Sequence, residues 1–343
     1  MHSKLPLGYA RVTCVMGAGA MGTLCAAILA RGGYRVRLWG RRPEHIAALA
    51  AQRENLRYLP GLHLPESIEL TTSAETALRQ CGLIICAVPA QHIRAVMGQF
   101  RAVIPAGVPI ASVAKGIENQ TLLRPTEIIT EVLGDRPVVA ISGPCIAGEL
   151  ACGLPTTLVA ASTDETLTAL IQTMFTTTYL RIYRNADLRG VELAAAMKNV
   201  VAIAAGILDG LQAGTNAKAA LLTRGLVEIT RLGVLLGAQV ETFSGLAGLG
   251  DLVTTCFAAQ GRNRTLGEHI GRGLSPSAAL QGMTGVVEGL PTTKSVMDLA
   301  RRQRVEMPIT KCLHAVLFEG KKPREGIADL MSRQPRHERD RCV

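Results

Sequence analysis

An α/β domain built on a parallel sheet, followed by an all-helical domain, is the fold class the sequence predicts, and three observations predict it. Short β-rich apolar runs alternate with helical runs through the first half, strand signals nearly vanish after about Arg189, and a glycine-rich turn lies between the first strand and the first helix. Unbroken apolar strands of this kind fit a parallel sheet covered by helices on both faces. At 343 residues the chain is long enough to bury two cores.

The alternation opens with a strand over 11–16, a helix over 21–31 and a strand over 34–39. Further strands are predicted at 83–88, 108–112, 138–141 and 157–161, with helices over 90–100 and 121–133 between them. A change of pattern near Asp187 to Gly190 marks the boundary. Beyond it, Ala- and Leu-rich helical runs are expected at 192–208, 217–232, 276–281, 292–303 and 311–317. The domains are accordingly placed at 1–189 and 190–332, with 333–343 as a charged, frayed tail. No internal repeat is visible.

Composition narrows the function classes. Hydrophobic residues make up 48% and charged residues 19%, the balance of a folded globular protein. Aromatic residues are only 3%, which leaves little material for stacking on bases, so no nucleic-acid partner is expected. The formal charge of +10 suits a cleft that draws in a small anionic substrate and a dinucleotide. Nine cysteines without a Cys-x-x-Cys pair read as reduced thiols of a cytoplasmic protein, and no metal site is expected. Residues 1–11 lack the apolar core of an export signal. The apolar stretch 191–208 is interrupted by Lys198, Asn199 and Gly206, so a buried helix rather than a stable membrane insertion is expected.

Gly17-Ala18-Gly19-Ala20-Met21-Gly22 matches G-x-G-x-x-G at a strand-to-helix turn. The first glycine permits the tight turn, the second lets backbone approach a pyrophosphate, and the third lets helix and strand pack closely. The first domain is therefore expected to be of Rossmann type. Where NAD-preferring folds end the second strand in Asp or Glu, this chain has Trp39-Gly40-Arg41-Arg42. Two guanidinium groups suit a 2′-phosphate, so NADP(H) is expected to bind, with NAD(H) left open because Glu44 can still serve a ribose.

In the second half, Lys198 and Asn199 stand in a run of small apolar residues. Desolvation there disfavours the ammonium form and moves a lysine toward proton exchange, although a lysine snorkelling from a core helix has the same sequence signature. A second polar cluster follows: Asp251 at the end of a glycine-punctuated segment, then Thr255, Gly261, Arg262 and Asn263. These residues suit either a helix cap with surface charges or a site for phosphate and hydroxyl groups.

Taken in order, segments 17–23, 87–91, 112–118, 142–144, 153–156, 191–200, 223–226, 245–251, 262–263 and 287–289 resemble the bacterial NAD(P)-dependent glycerol-3-phosphate dehydrogenases. The resemblance implies a Rossmann domain joined to a helical domain like that of 6-phosphogluconate dehydrogenase, with the active site in the cleft between them. It implies interconversion of dihydroxyacetone phosphate and sn-glycerol 3-phosphate, feeding glycerophospholipid synthesis, and a homodimer. Lys198 is implied to be the general acid/base at the C2 oxygen, and Lys115 to contact both substrate and cofactor. Asp251 and Asn199 orient the lysine and the hydroxyl groups. Arg262 and Asn263 hold the phosphate end, with Arg262 also touching the cofactor, and Gly143, Cys145, Thr255 and Gly261 complete the substrate group. The cofactor group is Gly17, Gly19, Ala20, Met21, Gly22, Arg41, Arg42, Ala147, Val286 and Glu288.

The chain departs from the family at Ala20-Met21, Cys145-Ile146 and Gly261, where hydroxyl-bearing residues are common. Each lost hydrogen bond weakens affinity by about two- to tenfold without changing the reaction class. Two alternatives stay open: another two-domain dehydrogenase such as a ketopantoate reductase, and a silent NAD(P)-binding sensor.

Overall fold

The computed structural model describes residues 12–335 and 337–338, so the expectations for 1–11, for 336 and for 339–343 lie outside the described residues. Two compact units emerge: Met1–Lys115 with Arg124–Leu188, and Gly116–Leu123 with Arg189–Val343. The main division falls one residue before the 189/190 boundary read from the sequence. Residues 116–123 correct that reading, because they belong to the helical unit although strands and helices of the α/β unit lie on both sides of them in sequence. Ile117 and Leu122 are buried in the helical core. Ser295 Oγ stands 3.0 Å from Ile117 O and 2.7 Å from Asn119 Oδ1, closing the segment onto its helix.

The α/β unit runs β1 (Thr13–Met16), α1 (Ala20–Arg31), β2 (Val36–Trp39), α2 (Pro43–Gln52), β3 (Glu54–Asn55), β4 (Leu59–His63), β5 (Ile68–Thr71), α3 (Ala74–Leu78) and β6 (Leu83–Cys86). It continues through α4 (Ile93–Phe100), β7 (Ile110–Ser112), α5 (Pro125–Leu133), β8 (Val138–Ser142), α6 (Ala147–Ala151), β9 (Thr156–Ala161), α7 (Glu165–Phe175) and β10 (Leu180–Asn185). Eight strands form one sheet in the order β10-β9-β8-β7-β6-β1-β2-β5, while β3 and β4 form a separate antiparallel hairpin. From β1 the chain first builds outward through β2 and β5, then returns to β6 on the other side. That reversal is where open α/β sheets bind ligands, at the carboxyl ends of the strands.

Strands β1, β2 and β6 are buried at every residue; β6 is an unbroken apolar run, whereas β2 carries Arg37, which is buried with Nε 2.7 Å from Glu69 Oε2. The sheet is not wholly parallel, however: β9 pairs antiparallel to β8. The connection between them carries only the five-residue α6, too short to serve as a full crossover helix. The helix expected from 121 begins at Pro125 instead, with Pro at its first turn. A residue preceding proline resists the helical region, so the chain enters helix at the proline itself.

The helical unit comprises α8 (Leu188–Gly210), α9 (Gly214–Leu235), α10 (Val240–Ser244), a π-helical turn at Leu246–Gly250, α11 (Asp251–Phe257), α12 (Arg262–Gly271), α13 (Pro276–Gln281), α14 (Gly289–Gln303), α15 (Pro308–Phe318) and α16 (Pro323–Met331). Among the described residues it contains no strand. Helix α8 has the length and hydropathy of a membrane span, but 89% of its apolar window is buried within the protein, as in a core helix.

Helices α8 and α12 cross at a seam of four glycines. A Cβ at Gly206 would stand 2.8 Å from Arg264 C and nearer still to Arg264 O, and one at Gly267 would stand 2.9 Å from Ile203 C. Gly210 and Gly271 meet at the next turn, where each would bring a Cβ within about 3 Å of the other's Cα. Backbone therefore packs on backbone at this crossing. Asp209, at the end of α8, is held by Lys218 Nζ of α9 at 2.8 Å and by Arg264 Nε of α12 at 2.6 Å.

Buried Glu228 of α9 accepts from Ile309 N and Thr310 N, both at 2.8 Å, and from Thr310 Oγ1 at 2.7 Å, closing the first turn of α15. Burial pushes its carboxyl above the ordinary carboxylate value, against the lowering effect of these three donors. Two residues of the described part of the tail make contacts. Arg333 pairs with Glu306 at 2.7 Å, and Arg224 Nη1 donates to Glu338 O at 3.0 Å.

Candidate active site

In the α/β unit the glycine turn follows β1. Gly17 has φ +113°, a conformation that a side chain resists, and a Cβ there would stand 2.7 Å from Ala87 O, just past the end of β6. A Cβ at Gly22 would reach within 3.1 Å of the Ala87 side chain and closer to Gly17 O, so only glycine lets α1 lie this near β1. Gly19 differs from both: a Cβ there would meet nothing within 4 Å. Gly19 is also the N-cap of α1 and supplies no side-chain cap, so the first N–H groups of the helix, including those of Ala20 and Met21, lack a side-chain partner at this end. Open space beside backbone donors at a helix N-terminus fits a pyrophosphate.

At the carboxyl end of β2, Arg41 and Arg42 are exposed, and neither guanidinium has a hydrogen-bond partner among the described residues. Across the unit, Lys115 Nζ donates to Gly143 O at 3.1 Å, and Gly143 itself has φ +129°. Cys145 and Ala147 flank the start of α6, half-buried against the α/β core.

In the helical unit, α8 presents Lys198 and α11 presents Asp251. Lys198 Nζ lies 2.9 Å from Asp251 Oδ1 with side chains only 6% and 2% exposed, and it also donates to Thr255 Oγ1. Thr255 Oγ1 is 3.3 Å from Asp251 Oδ1, one helical turn along. The wall around the lysine is therefore not purely apolar. A carboxylate within ion-pair distance stabilises the ammonium and opposes the desolvation inferred from sequence. Asp251 reaches this place through the π-helical turn, in which Gly250 N bonds to Gly245 O at 3.1 Å. Behind the cluster, burial pushes the Cys256 thiol up to about 12, leaving it a neutral packing group.

Asn199, the next residue on α8, accepts at Oδ1 from Asn263 Nδ2 at 2.9 Å, while Asn263 Oδ1 accepts from Gly289 N at 2.9 Å. Three helices, α8, α12 and α14, are thereby tied at one asparagine pair. Arg262, beside Asn263, is exposed and lies against Gly285, where a Cβ would stand 2.6 Å from Arg262 Nη1. Val286 is exposed in the same segment, and the charge of Glu288 acts on the Arg262 guanidinium. Gly261 caps α12 without a side-chain bond, and a Cβ there would stand 3.3 Å from Thr255 O.

The structure thus brings together Lys198, Asp251 and Thr255; Asn199 and Asn263; Arg262 with Val286 and Glu288; and Lys115 with Gly143. Sequence reasoning missed His45 and Asn55, which bond the back of the glycine turn. Neither lies in a motif, and only the fold carries them to that turn. No group of three or more His, Cys, Asp or Glu side chains that could hold a metal occurs among the described residues.

Residues 12–168 match the family model described as NAD-dependent glycerol-3-phosphate dehydrogenase N-terminus, and 187–328 match that of its C-terminus. The chain belongs to the NAD-dependent glycerol-3-phosphate dehydrogenase family. It is 47% identical over 327 residues to the glycerol-3-phosphate dehydrogenase of Chlorobium limicola, covering 94% of this chain and 98% of the relative. It is 46% identical to that of a Geobacter species, over 93% and 96% of the two chains. The crystal structure of the Coxiella burnetii glycerol-3-phosphate dehydrogenase superposes with a TM-score of 0.91 at 38% identity, covering 94% of this chain and 99% of that one. Family membership makes the protein an oxidoreductase that works with NAD(P)(H) on an α/β Rossmann-type unit joined to an all-α unit.

Proposed function

We propose that the protein interconverts dihydroxyacetone phosphate and sn-glycerol 3-phosphate with NADP(H) or NAD(H), and that Lys198 exchanges the proton at the C2 oxygen. The observation that carries this reading is the buried cluster of Lys198, Asp251 and Thr255 in a chain whose relatives are named for this activity.

When bound, the dinucleotide supplies or accepts the hydride. During ketone reduction, negative charge develops on the C2 oxygen. An ammonium N–H aimed at that oxygen neutralises the charge and delivers the proton. Asp251 keeps the lysine protonated in a setting where a lone ammonium would be driven to release its proton. Thr255, accepting from the same Nζ, narrows the directions in which the ammonium can point. In the oxidative direction the neutral lysine takes the proton back, and the carboxylate beside it stabilises the ammonium that forms.

Arg262 and Asn263 are assigned to the phosphate end, beside Gly261, and Arg262 also to the cofactor. Asn199 orients the hydroxyl groups and, through Asn263, sets where α12 stands against α8. Lys115, Gly143 and Cys145 are assigned to substrate, with Lys115 also reaching the cofactor. Gly17, Gly19, Ala20, Met21 and Gly22 receive the pyrophosphate, Arg41 and Arg42 a 2′-phosphate, and Ala147, Val286 and Glu288 the remainder of the dinucleotide. A homodimer working in the cytoplasm and supplying the glycerophospholipid backbone completes the proposal.

The test is to follow reduced-nicotinamide absorbance with NADPH or NADH and dihydroxyacetone phosphate, for the unsubstituted protein and for Lys198→Ala. Consumption that needs the phosphorylated ketone and falls by about two to four orders of magnitude in the variant supports the reading. Dinucleotide binding without consumption, whatever ketone is added, would replace it with the sensor.

A further inference from the structure

The glycine turn is held from behind by two side chains outside any motif. Asn55, at the end of β3, is buried, and its Nδ2 donates to Ala18 O at 3.1 Å and to Thr23 Oγ1 at 2.7 Å. Its Oδ1 accepts from Tyr58 N at 3.2 Å, which fixes the orientation of the amide. His45 of α2 stands with Nε2 3.0 Å from the same Ala18 carbonyl. A carbonyl oxygen only accepts, so His45 carries its proton on Nε2 there. The imidazole is edge-on to Tyr58, ring centroids 5.3 Å apart. Two donors from two elements therefore converge on one oxygen.

The Ala18–Gly19 peptide is trans, because the described chain has no cis bond. In a trans peptide the N–H points away from the C=O across the same rigid plane. Holding the Ala18 carbonyl toward α2 and β3 thus aims the Gly19 N–H to the opposite side. No acceptor among the described residues receives that N–H, and the space at the Gly19 α-carbon is open to 4 Å. Donors on the carbonyl also polarise the amide, strengthening its N–H toward an anion.

We propose that Asn55 and His45 are positioning residues for the dinucleotide, which lock the Ala18–Gly19 peptide plane so that the Gly19 N–H faces the pyrophosphate. The proposal rests on the glycine turn being the dinucleotide site. It separates the turn's shape, which the glycines permit, from its direction, which these two side chains select.

The experiment measures NADPH Kd, cofactor KM, substrate KM and kcat at saturating cofactor for the unsubstituted protein, Asn55→Asp, His45→Leu and His45→Gln. Asn55→Asp keeps the shape and the Tyr58 contact but turns a carboxylate oxygen toward the Ala18 carbonyl. It is expected to raise NADPH Kd and cofactor KM by about tenfold or more, with kcat and substrate KM within about twofold. His45→Leu, at a half-exposed site, is expected to raise Kd by about three- to tenfold, and His45→Gln, which retains a donor, to restore it. NADPH binding within twofold of the unsubstituted protein in both Asn55→Asp and His45→Leu overturns the positioning role; should Asn55→Asp not fold, His45→Leu alone decides. Failure of the unsubstituted protein to bind NADPH or NADH would instead overturn the dinucleotide reading, and the proposal with it.

Discussion

Alanine at Gly206 is the most demanding test of how this site is held. The added methyl would lie 2.8 Å from Arg264 C and 2.9 Å from Glu268 N, with Arg264 O nearer still. Carbon contacts settle near about 3.5 Å, so α8 and α12 must part by roughly 0.7 Å or more. The bond between Asn263 Nδ2 and Asn199 Oδ1, now 2.9 Å, would open to about 3.6 Å, beyond hydrogen-bond range. Overpacking costs about 1–3 kcal/mol, and leaving a buried amide unsatisfied adds about 1–3 kcal/mol. A total of about 2–6 kcal/mol corresponds to a fall of about 4–24 °C in the melting temperature of the helical unit, at about 2–4 °C per kcal/mol for a unit of this size. Thermal unfolding followed by circular dichroism, with substrate KM and NADPH Kd measured on the same samples, checks the reasoning. Tm should fall and substrate KM rise; the glycine turn belongs to the other unit, so NADPH Kd should rise by less than substrate KM, through Arg262, Val286 and Glu288 alone. Gly98→Ala serves as the control: this exposed glycine of α4 has nothing within 4 Å of its added Cβ, and the change should stabilise by about 0.5–1 kcal/mol. A Gly206→Ala protein that melts within about 2 °C of the parent with unchanged KM would refute the backbone-contact argument.

Asp251→Asn leaves the Lys198 ammonium buried beside a neutral amide and should cost about 3–5 kcal/mol in denaturant unfolding, part of which Lys198→Met in the same chain restores; equal stability of single and double variants would argue against a coupled pair. Glu228 has its carboxyl raised by burial, so the folded state binds its proton more tightly than the unfolded state, and the associated stability, full below the ordinary carboxylate range, is lost as pH rises through the raised folded value. Glu228→Gln has no such titration, so the Tm difference between parent and variant should narrow with rising pH, and a widening gap would contradict the desolvation account. Replacing Arg41 and Arg42 together by Ser should raise NADPH Kd by about tenfold or more and change NADH Kd by less than about threefold; equal losses for the two cofactors would mean that these guanidinium groups do not read the 2′-phosphate.

Much of the fold is legible in sequence where a local pattern and its tertiary role coincide. Strand β6 is fully buried and its apolar run reports that burial directly, while the burial of Arg37 in β2 is not legible from its own residue type. Helix α13 begins after a Ser cap with Pro in its first turn, and the expected 276–281 matches its bounds. Edge and antiparallel elements were harder to read. β10 alternates buried and exposed residues only over its first four positions, and nothing local says that β9 runs against β8. In the helical unit, Lys198 and Asp251 stand out as charges in apolar or glycine-rich runs. Their pairing across 53 residues is a property of helix packing, and so is the correction it brings to the lysine's environment. Asn55 and His45 carried no signal, since their role comes from the return of the β3–β4 hairpin and α2 to the glycine turn.

The short segment 116–123 bears on how the molecule is made. Ser295 and Ile117, which meet in the finished protein, are separated by 178 residues of sequence. On a ribosome adding about 5–20 residues per second, roughly nine to thirty-six seconds pass between the appearance of one and the other. During that interval the sheet of the α/β unit, complete once Asn185 is made, can close around its strands. Ile117 and Leu122 have no such option, because the core that receives them is not yet synthesised. The chain thus carries a short apolar stretch with a fixed waiting time, which is where a chaperone has reason to hold it and where an arrested or truncated translation product would be most prone to associate wrongly.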